Sequence, residues 1–199
     1  MTDSTTTVPV TGLGCLCAAG GSVEELTQAL FSGQRSWTWR QRGATRYPVF
    51  QLDGAAVPDG YFSEPECKRC GSLALAAARE ALIHAELSAP ALQECTVGVC
   101  IGTTVGSAMN NEAFYREFRD GTRPEISPIR HYLQANPAAM VAHALGLTGP
   151  CQTVTNACSS GSVAIAHGAD WIKAGICDVV LAGGADILCN VIQAGFLSL

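Results

Sequence analysis

The spacing of apolar positions switches along the chain between the two-residue period of a strand and the three-to-four-residue period of a helix. "TVPVTGLGCLC" alternates and is rich in β-branched residues, which predicts a strand over 7–12. Ser22 and Glu25 form a capping box, and the helix they start stops at Gly33. From 34 to 66 no period holds. That stretch carries Pro48, Pro58, Pro65, Trp37, Trp39 and several arginines, and reads as a long surface excursion. "SLALAAAREALIHAEL" (72–87) is a helix with Leu75, Ala78 and Leu82 on one face and Arg79, Glu80 and His84 on another. "CTVGVCIGT" (95–103) is continuously apolar, the pattern of a strand covered on both faces. A helical run over 110–119 leads into a second excursion, about 120–130. A further helix spans 136–145 with Pro137 in its first turn, and "GLTGP" ends it. "CQTVTNA" (151–157) is a short strand, 159–174 a helix capped by Gly175, and "CDVVLAGGAD" a final strand. The sum is one α/β domain over 1–199 with a mainly parallel or mixed central sheet covered by helices.

Composition narrows the picture. Apolar residues make up 48% and charged residues 15%, which excludes a disordered chain and suits a buried sheet or an oligomer. A net charge of −5 and the lack of a basic run exclude nucleic acid as a main partner. "MTDSTTTVPVTG" lacks the pattern of a secretory signal, and no apolar run reaches the ~18 residues of a membrane span, so the cytoplasm is the expected address. In a reducing compartment the ten cysteines read as small hydrophobes, Cys100, Cys151 and Cys177 among them. "CKRC" (67–70) has the spacing of half a zinc site. No matching second pair follows, and "CLC" (15–17) is too tight to replace one, so no metal is expected.

The candidate chemistry lies in "VTNACSSGS" (154–162). Cys158 follows a strand and opens a helix whose Val163, Ala164, Ile165, Ala166, Ala169 and Ile172 make it apolar on nearly every side. Such a helix is expected to be buried. Its dipole and the free N–H groups of its first turn then favour a thiolate at Cys158. Ser159, Ser160, Gly161 and Ser162 are small and leave room for a long substrate, and the Cys158 N–H is placed to help bind an oxyanion. On position alone, a plain cysteine on a tight strand-to-helix turn remains the alternative.

"TVTNACSSGSVAIAHGADWIKAGICDVVLAGGAD" resembles the active-site segment of the β-ketoacyl-acyl-carrier-protein synthases, the ketosynthases that condense acyl units in fatty acid and polyketide synthesis. "VTGLGCLCAAGGSVEELTQALFSGQRS", "LALAAAREAL", "VGVCIGTTVGS" and "NPAAMVAHALGLTGP" resemble further segments of that family in the same order. The resemblance implies the thiolase-like fold, of which this chain holds the N-terminal βαβαβαββ-type half. It also implies a homodimer or a heterodimer with another ketosynthase-type subunit, an acyl carrier protein as partner, and Cys158 as nucleophile. No bound cofactor is implied; phosphopantetheine comes on the carrier.

The chain departs from the family in extent. The family's two catalytic histidines and supporting lysine lie in a second half, and this chain stops at "QAGFLSL"; a full enzyme is roughly twice as long. His84, His131, His143 and His167 match none of the family's histidine motifs, so no acid–base histidine is assigned. Asn156 stands where the family commonly has threonine. The expected function is therefore acyl transfer to Cys158 for decarboxylative condensation with malonyl carrier, incomplete in this chain. The alternatives are a ketosynthase-like partner of the chain-length-factor type and a non-catalytic interaction module needing a second chain. Arg116, Arg119, Arg123 and Arg130 form a possible basic rim for an acidic carrier, with ordinary solvated loop arginines as the alternative. Met109, Phe114 and Met140 read as core packing before they read as a tunnel lining.

Overall fold

The computed structural model describes residues 7–52, 69–106, 111–126, 129 and 136–199. Cys67, Met109, Arg130 and His131, together with the 53–66 part of the first excursion, fall outside the described residues. Helix α1 spans Val23–Phe31, strands β1 and β2 span Thr38–Arg42 and Thr45–Val49, and α2 and α3 span Arg69–His84 and Ala89–Gln93. Strand β3 (Val97–Gly102), α4 (Glu112–Arg119), α5 (Pro137–Ala144) and β4 (Cys151–Val154) follow. A 3-10 turn, Ala157–Ser159, then leads into α6 (Ser160–Lys173), β5 (Val179–Gly184) and α7 (Asn190–Leu197).

β3 is the middle of a three-stranded parallel sheet in the order β4-β3-β5. Val99 pairs with Cys151 and Gly102 with Val154 on one side; Val97 pairs with Val179 and Gly102 with Gly184 on the other. All six β3 residues are buried, as a continuous apolar run requires. Successive side chains of a strand point to opposite faces. Val97, Val99 and Ile101 enter a core with Ala74, Leu75, Ala78 and Leu82 of α2 and Ala138, Val141 and Ala142 of α5. The opposite face meets α6: a Cβ at Gly98 would press on Trp171, and one at Gly102 would overlap the Ser160 backbone. The architecture is thus three layers, α/β/α, in keeping with the thiolase-like class.

Helix limits follow local chemistry. Glu25 N–H donates to Ser22 Oγ at 3.2 Å, while the Glu25 carboxylate turns back to accept from Gly21 N–H at 2.7 Å. Gly33 at φ 69°, Gly146 at φ 65° and Gly175 at φ 68° take the left-handed conformation that ends α1, α5 and α6.

The structure corrects three expectations. Residues 7–12 form no strand. Gly12 and Gly14 lie against the Ala81 and Ala77 carbonyls of α2, closer than any Cβ allows. Leu13 N–H donates to His84 Nδ1 at 3.1 Å, and the Glu80 carboxylate accepts from Cys15 N–H and Val23 N–H, both at 2.7 Å. The chain from Gly12 to Val23 is thus laid along α2 through backbone contact and through the Glu80 and His84 side chains, which gives His84 a structural role. Within the first excursion, β1 and β2 form an antiparallel hairpin, closed through Gly43 at φ 58°. Finally, α6 is buried along one stripe only, through Ser160, Ala164 and Gly168, and Ile165 is 54% exposed.

Candidate active site

The glycines on the α6 face of β3 and β5 decide where Cys158 sits. Gly102 and Gly184 let the start of α6 lie directly on the C-terminal ends of β3 and β5, and Gly168 brings α6 down onto Val180 and Ala182 of β5. The chain leaving β4 must therefore turn sharply into α6 at the edge where the parallel strands end, the place where α/β sheets bind ligands. Cys158 is exposed in the middle of the 3-10 turn, one residue pair ahead of α6 itself, rather than at the helix's first residue.

That turn is strained and tightly held. Ala157 has φ 47°, a left-handed conformation in a residue with a Cβ, which costs on the order of 1–3 kcal/mol and persists only where surroundings enforce it. The enforcement comes from side chains flanking Cys158. Asn156 N–H donates to Ser160 Oγ at 2.7 Å, and Asn156 Nδ2 donates to Ser159 Oγ at 2.8 Å. The Ser160 hydroxyl in turn reaches Ala157 O at 2.8 Å and Thr103 O at 3.1 Å, locking the turn to the end of β3. Asn156, the departure noted in the sequence, thus acts as a brace for the turn.

A second layer anchors Thr103. Its hydroxyl donates to Asp186 Oδ1 at 2.9 Å and accepts from Gly106 N–H at 2.9 Å. Asp186 also accepts from Thr104 N–H at 2.9 Å and from the Thr104 hydroxyl at 2.8 Å, tying the loops after β3 and β5 together. Cys70, only 4% exposed, donates from Sγ to Ala185 O at 3.2 Å. Burial, with Asp186 adding to it against the opposing Thr103 contact, pushes the Cys70 thiol up to about 12, so this sulfur stays protonated and inert. Burial likewise raises Cys15, to about 11, and Cys100 and Cys177.

The remaining sequence candidates disperse. Cys100 and Cys177 are buried as expected, whereas Cys151 on the edge strand β4 is exposed. His143 is exposed and His167 is half-buried within α6. Met140 packs in the core beside Gly71, and Phe114 stacks on Phe118 with ring centroids 6.1 Å apart. Arg119 is 3.4 Å from Asp120, which offsets its charge, and Arg123 is exposed. Among the described residues, no His, Cys, Asp and Glu group of three could hold a metal, and no helix is long and apolar enough to cross a membrane. The sequence missed Ala157, Thr103 and Asp186. "NAC" and "GGAD" marked the right loops, but a backbone angle and a pairing across the sheet leave no local signal.

Three comparisons bear on this geometry. Nodulation protein E of Rhizobium meliloti (strain 1021) is 33% identical over 196 residues, covering 90% of this chain and 46% of that protein. Of solved structures, the ishigamide ketosynthase/chain length factor superposes with a TM-score of 0.80 at 26% identity, over 94% of this chain and 49% of the other. A beta-ketoacyl synthase from Burkholderia phymatum STM815 gives 0.77 at 25% identity, over 95% and 49%. The chain spans about half the length of the curated relatives it matches. The family model for the beta-ketoacyl synthase N-terminal domain matches residues 5–198, so a strained, braced cysteine turn above a parallel sheet here belongs to a chain of the beta-ketoacyl synthase family.

Proposed function

We propose that this chain carries the acyl-accepting half of a β-ketoacyl-acyl-carrier-protein synthase, with Cys158 as nucleophile. One observation carries the reading: an exposed sulfur on the strained turn Ala157–Ser159, in a family of ketosynthases. The Cys158 thiolate attacks the thioester carbonyl of an acyl group borne on the phosphopantetheine of an acyl carrier protein. A carbon–sulfur bond forms to Cys158, the carrier's carbon–sulfur bond breaks, and the carrier thiolate leaves and takes up a proton. Sulfur suits both stages because it attacks well and leaves well. Phosphopantetheine is thus part of the substrate. In the condensation that follows, malonyl carrier loses carbon dioxide and its enolate carbon displaces Cys158. That step needs donors for the enolate and thioester oxygens.

The reading assigns residues 1–199 to one ketosynthase N-terminal domain, acting in the cytoplasm in fatty acid or polyketide synthesis as a dimer with a ketosynthase-type subunit. A second reading is favoured by the neighbour solved as a ketosynthase with a chain length factor: a partner subunit that shapes product length beside a complete enzyme. Incubation with an acyl-thioester followed by peptide mass spectrometry separates the two. The first reading expects an acyl adduct on Cys158 that is lost in Cys158→Ala, with no release of carbon dioxide from malonyl thioester by this chain alone. An unmodified Cys158, with or without a ketosynthase subunit present, overturns it.

A further inference from the structure

The hairpin β1–β2 takes no part in the site. Its register sorts the side chains: Trp39 opposite Pro48 and Gln41 opposite Arg46 share one face, while Arg40 opposite Tyr47 and Arg42 opposite Thr45 share the other. The second face is seated on the body of the protein. Val49 is buried there, the Tyr47 hydroxyl donates to the buried Gln193 Oε1 at 2.8 Å, and Arg42 reaches Asn190 O at 3.5 Å. The first face looks into solvent. Trp39 is 49% and Trp37 37% exposed. Their rings meet edge to face at 4.9 Å, and the Arg46 guanidinium lies 4.6 Å over Trp39.

Two of the chain's three tryptophans therefore stand on an outer sheet face, where large apolar surface is costly unless something covers it. Charge says what kind of partner covers it. From Gln34 to Leu52 there are four arginines, Arg35, Arg40, Arg42 and Arg46, all exposed, and not one Asp or Glu, in a chain of net charge −5. The hairpin is a cationic island on an anionic molecule. Trp and Arg are also the residue types that anchor protein interfaces, and the guanidinium fork matches a carboxylate.

We propose that the outer face of β1–β2 is a docking surface for an acidic protein segment. Trp37 and Trp39 are its apolar anchor, Arg46 its carboxylate ligand, and Arg35, Arg40 and Arg42 supply the attracting field. A single-stranded nucleic acid would need open ring faces for base stacking, and Arg46 closes one face of Trp39 while Trp37 stands perpendicular to it. A bilayer surface would require burial of Gln41 and the Arg46 guanidinium, which share the tryptophan face.

The tryptophans make the surface its own probe, because Trp171, the third, packs under α6 against β3. Titration of the chain with a glutamate-rich peptide, followed by tryptophan emission at low salt, is expected to saturate. Affinity falls about tenfold or more in Arg46→Glu and in Trp39→Ala, and falls as ionic strength rises. Both substitutions lie on an exposed face, and unchanged far-ultraviolet circular dichroism checks that the fold is intact. Peptide binding that ignores Arg46→Glu overturns the proposal. So does tighter binding of oligouridylate, or of phosphatidylglycerol vesicles, than of the peptide.

Discussion

The two faces of β3 are made from alternate residues of one strand, yet they do different work. One face presents Val97, Val99 and Ile101 to α2 and α5 and closes with them into the core. The other presents Gly98, Cys100 and Gly102 to α6: Gly98 makes room for the Trp171 ring, and at Gly102 backbone touches backbone where a side chain would otherwise be. Aliphatic packing holds the sheet to its helices and tolerates some exchange of shape. Backbone contact tolerates none, and it is the contact that sets the height of the Cys158 turn above the strands. Core packing and the placement of Cys158 are thus carried on opposite sides of the same six residues.

A pair of substitutions breaks the comparison most directly. Gly102→Val forces a side chain into the Ser160 backbone and is expected to cost more than about 3 kcal/mol, with Cys158 alkylation lost in whatever still folds. Leu75→Ala on the opposite side is expected to cost about 3 kcal/mol, yet to leave the Cys158 alkylation rate per folded molecule unchanged. Denaturant titration combined with peptide-resolved iodoacetamide labelling reads both. Equal loss of Cys158 reactivity in the two variants would erase the distinction.

Thr103→Val tests the link between the faces. The valine keeps the shape but leaves Gly106 N–H unpartnered and Asp186 short of one donor, a cost of about 1–2 kcal/mol. With the hydroxyl gone, the loop that carries the Thr103 carbonyl, the brace of Ser160, is held less firmly, and Cys158 labelling is expected to slow several-fold as well, with thermal melting and labelling measured on the same sample. The smallest effect is alkaline. Burial raises Cys70 from 9.0 to about 12, so above pH 9 the unfolded chain loses a proton that the folded chain keeps. Stability is therefore full below pH 9 and falls as pH rises towards 12. Cys70→Ala is expected to recover about 1 kcal/mol of the loss between pH 9 and 10, read from urea midpoints at each pH.

How much of this the sequence disclosed depends on the range of the cause. β3, α5 and the caps at Ser22, Gly33 and Gly175 were readable because an apolar run, a Pro137 or a capping pair acts within a few residues. The place of Cys158 on a strand-to-helix turn was readable for the same reason, from a β-type run followed by a string of small residues. The 7–12 segment misled because its alternation is real while the contacts that place this part of the chain, Gly12 on Ala81 and Leu13 on His84, are distant in sequence. The hairpin was obscured by Pro48, which sits at its edge opposite Trp39, and by arginines where a strand usually shows apolar alternation. The expected all-round burial of α6 failed because apolar composition does not say which neighbour is present to cover each side, as Ile165 shows.

The middle strand of the sheet is also the first of the three to be synthesised. Val99 emerges from the ribosome long before Cys151, and Val97 longer still before Val179, so β3 is born with both edges unpaired and its α6 face uncovered. Closing such distant pairings is slow, and unpaired strand edges invite association with other chains. The last pairing, Gly102 with Gly184, sits beside the Cys158 turn, which makes that turn among the last parts of the nascent protein to take its final form.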